Sequence, residues 1–483
     1  MRPPGPWGPL GPTAPTVSSA LTGSGALTGS EAEAFMASAA SAVRAPAARR
    51  AVLSLPPGWP VYALFLGFPL WWALGLGSFV WPILAVPMLL SLLRRGSVRM
   101  PRGFGWWLLF MGWIVVSGTQ LGDAGRVGAY LYRSSVYFSA TVLFLYLYNM
   151  SSEAVPTRKI VVVLSLFWMF VVIGGYVGTL FPNGSFSTPL EKVIPGGFGD
   201  SSLKAWLHPM FANGGQASRI LGYSVGRPSV LFAFTNMWGS NFALLVPFVL
   251  MSWAHVKKRS WKLFTIGALV ASIVPMVSSL NRGLWLSLGL GLVYATVLFA
   301  IRGRTKPFIG MVSILAVTAG LLFLPPIHKL VTDRLAHGHS DAGREQLYSE
   351  AIQRLKEHPV LGFGAPVESQ IDPTKPSVGT HGQFWLLLVS TGVPGAIFFL
   401  AWFGLVLWRS RKGSVETGQW CNVVVCIALI QLAFYELLPA QIHIVMIASA
   451  LALREIRSPA EPPPVEAPTG AMRRSPYGAV GVR

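Results

Sequence analysis

Residues 160–181 read IVVVLSLFWMFVVIGGYVGTLF, 22 consecutive residues without a charge, directly after Arg158 and Lys159. A helix needs about 20 such residues to cross the roughly 30 Å hydrocarbon core of a bilayer. The stretch is too long for one buried strand, and it lacks the polar face of a surface helix. It therefore predicts a membrane-crossing helix with a basic flank.

Similar apolar runs recur on both sides of it. The segments 60–75, 77–93, 104–120, 129–148, 237–255, 263–280, 284–301, 307–325, 384–408, 419–437 and 440–454 complete a set of twelve. Composition agrees: only 12% of the residues are charged and 52% are hydrophobic. Soluble domains carry about 25% charged residues. This pattern excludes a soluble enzyme, a disordered chain and a fibrous protein. The expected fold class is all-α, a polytopic integral membrane bundle of about 12 transmembrane helices. The first two segments are short, with Gly75 and Gly77 at their hinge, and residues 59–93 could also be read as one span.

The net charge of +20 could suggest nucleic acid, but its distribution argues otherwise. With an even number of spans both tails share a side. That side collects 25 of the 38 basic residues and seven of the 18 acidic ones. The positive-inside rule makes it the cytoplasmic side and accounts for most of the excess, so no nucleic-acid partner is required. The domain reading is a disordered cytoplasmic tail at 1–58, a transmembrane domain at 59–456, and a second disordered cytoplasmic tail at 457–483. Two long loops, 182–236 and 326–382, fall on the outer face, where long segments usually carry function. The second contains a helical stretch, Gly343–Glu357, with Tyr348, Ile352 and Leu355 spaced for an apolar face and Pro359 as its stop. Cys421 and Cys426 lie five apart in one apolar run and form no disulfide framework.

The candidate chemistry gathers on the outer side. Arg227 lies in Gly226-Arg227-Pro228-Ser229. Arg282 lies in Asn281-Arg282-Gly283, read as a tight turn between two spans, and Arg344 opens the loop helix. His381 stands in Thr380-His381-Gly382-Gln383, where the second loop enters a span. Each arginine alone could snorkel to lipid headgroups. As a set, their guanidiniums suit a lipid diphosphate, because the fork of donors matches phosphate oxygens. A neutral histidine beside them could take a proton from an attacking hydroxyl. Glu436, at the outer turn between the last two spans, and His443, beyond Pro439, are possible auxiliary groups. His337 and His339 flank Gly338, but spacing alone is a weak ligand signal, and no metal or cofactor is expected.

The order of short motifs resembles the O-antigen ligase and O-antigen polymerase family of membrane glycosyltransferases. The matching pieces are Gly226-Arg227-Pro228, Ser279-Leu280-Asn281-Arg282-Gly283-Leu284-Trp285, Gly343-Arg344-Glu345, His358-Pro359-Val360-Leu361-Gly362-Phe363-Gly364, His381-Gly382-Gln383-Phe384 and Ser390-Thr391-Gly392-Val393-Pro394-Gly395. The resemblance covers roughly residues 220–410. It implies metal-independent transfer of glycan from an undecaprenyl-diphosphate carrier to an acceptor hydroxyl, at the outer face of the cytoplasmic membrane of a bacterium. The donor-linked glycan, a glycan, lipid or protein acceptor, and membrane lipids would be the partners. Arg227 and Arg282 match the family's diphosphate-contacting arginines, and His381 its proposed base. Two positions depart from the pattern: Asn281 where serine is commoner, and Gly382 where asparagine is commoner. The competing reading is a polytopic transporter or lipid-linked glycan flippase, for which Glu436 would be the functional charge.

Overall fold

The computed structural model describes residues 55–194, 201–213, 226–336, 339–371, 377–413 and 416–456. The expected tails fall outside the described residues except for 55–58, as do His337 and Gly338. Among the described residues the chain is helical, with isolated β-bridges and no strand. The helices in order are α1 (Trp59–Leu66), α2 (Phe68–Ala73), α3 (Val80–Leu93), α4 (Gly105–Ser117), α5 (Val127–Asn149), α6 (Thr157–Leu180), α7 (Pro189–Val193), α8 (Ser201–Leu207) and α9 (Thr235–His255). They continue with α10 (Arg259–Ala271), α11 (Ile273–Ser278), α12 (Arg282–Ile301), α13 (Thr305–Leu322), α14 (Pro325–Ala336), α15 (His339–Glu357), α16 (Gln383–Ser410), α17 (Glu416–Gln431) and α18 (Ala440–Glu455).

Among the described residues, five helical stretches are long and apolar enough to cross a membrane: α6, α9, α10 with α11, α12 and α16. Helix α9 is buried among the others, but side chains that no soluble protein would expose in such number cover the outward faces of its neighbours. On α10 and α11, Leu263, Phe264, Val270 and Val274 are exposed, and on α12 Leu286, Leu290, Val293 and Val297. Exposed apolar surface of this extent marks a surface made for lipid. The protein is a helical, multi-pass membrane protein.

Residues 59–93 form a hairpin, not one span. The Gly58 amide donates to the Tyr146 hydroxyl, and the Arg95 guanidinium donates to the Asn149 carbonyl. Both ends of the hairpin therefore meet the C-terminal end of α5. Its turn lies against the first long loop: Leu190 N–H donates to Leu74 O, and a Cβ on Gly77 would strike the Trp206 ring at 2.6 Å.

Hydrogen bonds also sort the helix ends into two groups. At one end basic residues meet carbonyls of neighbouring connections: Arg409 to Arg102 O, Arg302 to Arg411 O, and Arg454 to Val155 O. At the other end stand Arg227, Asn281, Gln383 and Tyr435, described below.

Helix α16 is broken where sequence dictates. Pro394 has no N–H to return to Ser390 O, and Gly392 takes φ 67° and ψ −171°, a conformation open essentially only to glycine. The carbonyls released by the break find new donors. Phe363 N–H bonds Val389 O at 2.8 Å, Gly364 N–H bonds Ser390 O at 2.9 Å, and Trp113 Nε1 bonds Thr391 O at 2.9 Å. Val393 N–H in turn donates to Pro359 O. The two glycine-rich motifs, His358–Gly364 and Ser390–Gly395, are thus each other's backbone partners. Arg126 fixes the following turn by donating to the carbonyls of Phe363, Ala365 and Pro366. Burial lowers the pKa of Arg126 from its ordinary value, and Asp123 opposes that shift.

Candidate functional site

The second long loop folds on its own small core. Leu347 and Ala351 of α15 pack with Val367, Val378 and Val389, and Phe363 and Trp385 close over them. The buried face of α15 thus runs one residue before the expected one. Ile352 is 46% exposed, because Leu347 and Ala351 occupy the inner stripe. The expected face also omitted Glu350, which is 2% exposed. Its carboxylate accepts from Ser369 Oγ and from Gln370 N–H, both at 2.7 Å. With its amide oxygen turned toward Arg354, Gln370 accepts two further bonds from that guanidinium. Glu350→Leu should leave Ser369 and the Gln370 amide without their buried partner, at a cost of about 1–3 kcal/mol. Hydrogen exchange at residues 367–370 should rise clearly in this variant. Glu350→Gln should change it little, since the Ser369 hydroxyl can reverse and accept.

Tyr348, one turn from Arg344 in sequence, stacks on Trp385 with ring centroids 4.5 Å apart. Its hydroxyl donates to His381 O and Ala433 O at 3.3 and 3.4 Å. Arg344 itself lies inside α15, which starts at His339, and does not open the helix as expected. Its side chain is outside the described residues.

Arg282 stands at the first position of α12 rather than in a turn, and Asn281 caps that helix by accepting from Leu284 N–H. The cap is buried and held on two further sides. Asn281 Nδ2 donates to Thr235 O, and the Tyr435 hydroxyl donates to Asn281 Oδ1. Arg227 is 7% exposed, and its Nε donates to Ser279 O at 2.9 Å, two residues before the cap. The first long loop is thereby tied to the Ser279–Gly283 motif.

His381 is half-buried, and Thr380 Oγ1 lies 3.4 Å from its Nδ1. The next residues dock on the connection after α17. Gln383 N–H bonds Tyr435 O at 2.8 Å, Phe384 N–H bonds Leu432 O at 2.9 Å, and Leu437 N–H returns to Gln383 Oε1 at 3.0 Å. Those bonds explain why α17 ends at Gln431 and not at the expected residue 437. The carbonyls of Leu432 and Tyr435, just beyond its end, serve the start of α16.

One network thus joins Arg227, the Ser279–Gly283 motif, the His381–Gln383 motif and residues 432–437. Glu436 belongs to this end of the bundle and forms an ion pair with Arg133 of α5 at 3.6 Å. His443 is a different case. It is 1% exposed, its Nδ1–H donates to Pro439 O, its Nε2 lies 2.8 Å from Ser139 Oγ, and Trp81 packs on its ring at 4.4 Å. Both nitrogens are occupied within helical packing.

Sequence reading missed Tyr435, Glu350 and Arg133. Only Arg133 carried a signal, as a charge inside a predicted span. No cluster of three or more metal-ligating side chains occurs among the described residues.

Comparison with known proteins places this arrangement. Residues 267–400, which hold the Arg282 motif, the broken helix and His381, match the family model described as O-antigen ligase. Over that segment the match supports the resemblance read from the short motifs. A search of curated proteins returned no significant match.

Proposed function

We propose that this protein transfers or polymerises glycan from an undecaprenyl-diphosphate-linked donor onto an acceptor hydroxyl, without a metal, in cell-surface polysaccharide biosynthesis. The observation that carries the reading is the joining of the Arg227, Arg282 and His381 segments into one network, within a chain that matches the O-antigen ligase family. In this mechanism Arg282 and Arg227, with Arg344 from α15, hold the diphosphate. Their positive charge stabilises the negative charge that the leaving diphosphate gains as the anomeric C–O bond breaks. His381 accepts the proton of the acceptor hydroxyl as that oxygen bonds to the anomeric carbon. Glu436 balances the charge of Arg133 rather than acting on substrate, which weakens the transporter reading based on it.

The test is transfer in proteoliposomes with a native lipid-diphosphate glycan pool and EDTA throughout. Wild type should transfer glycan and His381→Ala should not. A ladder of product lengths marks a polymerase, and a single addition marks a ligase. Transfer by His381→Ala at the wild-type rate would remove the proposed base.

In the proposed topology there are twelve crossings of the cytoplasmic membrane, both termini are cytoplasmic, and the Arg227–His381 end faces outward. Glu153 and Glu368 are both exposed and lie at opposite ends of the proposed bundle. Single cysteines placed there should differ in whole cells. An impermeant thiol reagent should label Glu368→Cys and spare Glu153→Cys, and the reverse pattern would invert the topology.

A further inference from the structure

We propose that Tyr435 is a positioning residue that holds the diphosphate arginine and the base in one register. It lies outside the segment that matches the family model. The inference rests on the donor-binding role of Arg282 given above.

Tyr435 touches both halves of the site through different groups. Its hydroxyl donates to Asn281 Oδ1, the cap immediately before Arg282. The approach is close, for a Cβ on Gly283 would meet that hydroxyl at 2.5 Å and the Phe434 ring at 2.7 Å. Glycine at 283 is thus the residue that lets the tyrosine reach the cap. On the other side, the Tyr435 carbonyl accepts from Gln383 N–H, two residues after His381. The ring is buried at 3% exposure. The segment carrying it is pinned from three directions. Leu437 N–H bonds Gln383 Oε1, Trp385 Nε1 bonds Ala433 O, and Glu436 pairs with Arg133. A segment held this firmly can hold its neighbours. The direction of the first residue of α12 depends on the cap that precedes it, and the cap side chain is oriented by this hydroxyl.

Tyr435→Phe removes the hydroxyl and keeps both the ring and the backbone carbonyl. The experiment measures binding of undecaprenyl diphosphate itself, by tryptophan fluorescence of the full chain in nanodiscs, so no acceptor is needed. Tyr435→Phe should weaken binding about tenfold, within the range of coupling between residues of one hydrogen-bond network. Thermal unfolding should stay close to wild type. The diagnostic readout is a double-mutant cycle. In an Arg282→Ala background the tyrosine substitution should cost less than twofold, because its effect passes through the arginine. A merely structural role predicts full additivity and a lower unfolding temperature. Wild-type binding by Tyr435→Phe, or additivity with Arg282→Ala, overturns the proposal. If Arg282→Ala binds as tightly as wild type, the donor-site reading itself fails, and the positioning role with it.

Discussion

Arg282→Ala should lower glycan transfer by about 100- to 1,000-fold, the range seen when one preorganised donor to a developing anion is lost. The reason lies in its location. The arginine is the first residue of α12, half-buried, directly after a cap that three other groups hold. Truncation removes the guanidinium and leaves that cap in place. Folding should therefore survive, with thermal unfolding within a few degrees of wild type. Arg227 differs. It is 7% exposed and bonds the Ser279 carbonyl, so Arg227→Ala should cost stability as well as activity. Transfer rates and unfolding curves for both variants, measured on one preparation, separate the two roles. Transfer by Arg282→Ala within a few-fold of wild type would remove it from the site.

The largest effect on folding should come from Gly392→Ala. A Cβ there would lie 2.3 Å from Val360 O and 2.7 Å from Pro359 O, both backbone atoms that cannot swing away. The residue also sits at φ 67°, where side chains are strained. Together these should cost about 3 kcal/mol or more. The measurable consequence is a severalfold loss of monodisperse protein in detergent. Gly404→Ala is the matched control on the same helix, since nothing lies within 4 Å of its added Cβ. Equal yields for the two variants would show that the break in α16 tolerates a side chain.

Much of the bundle was legible because lipid imposes a one-dimensional rule. Apolar runs of sufficient length become helices, and helices occur within all twelve expected segments. Their ends were less legible. Helix α17 stops at Gln431 because the start of α16, nearly fifty residues earlier, takes the carbonyls that follow. No local pattern near residue 431 encodes that partner. The candidate site divides the same way. Arg227, Arg282 and His381 stood out as charged or titratable groups at apolar boundaries. Tyr435 looked like one more aromatic in an apolar run. Its importance comes from what lies across from it, Asn281 and Gly283 on one side and Gln383 on the other. Arg133 did show, as a charge inside a predicted span, but its meaning depends on Glu436.

The exchange of backbone bonds between residues 359–364 and 389–393 bears on how this protein can be recombined with its relatives. A chimaera cut just before His381 would give a foreign loop to a helix whose released carbonyls were matched to another. The natural crossover point lies beyond Gly395, so that loop, proposed base and broken helix travel as one cassette. Exchanges of donor or acceptor preference built on that boundary keep the backbone pairing intact, and those cut inside it do not.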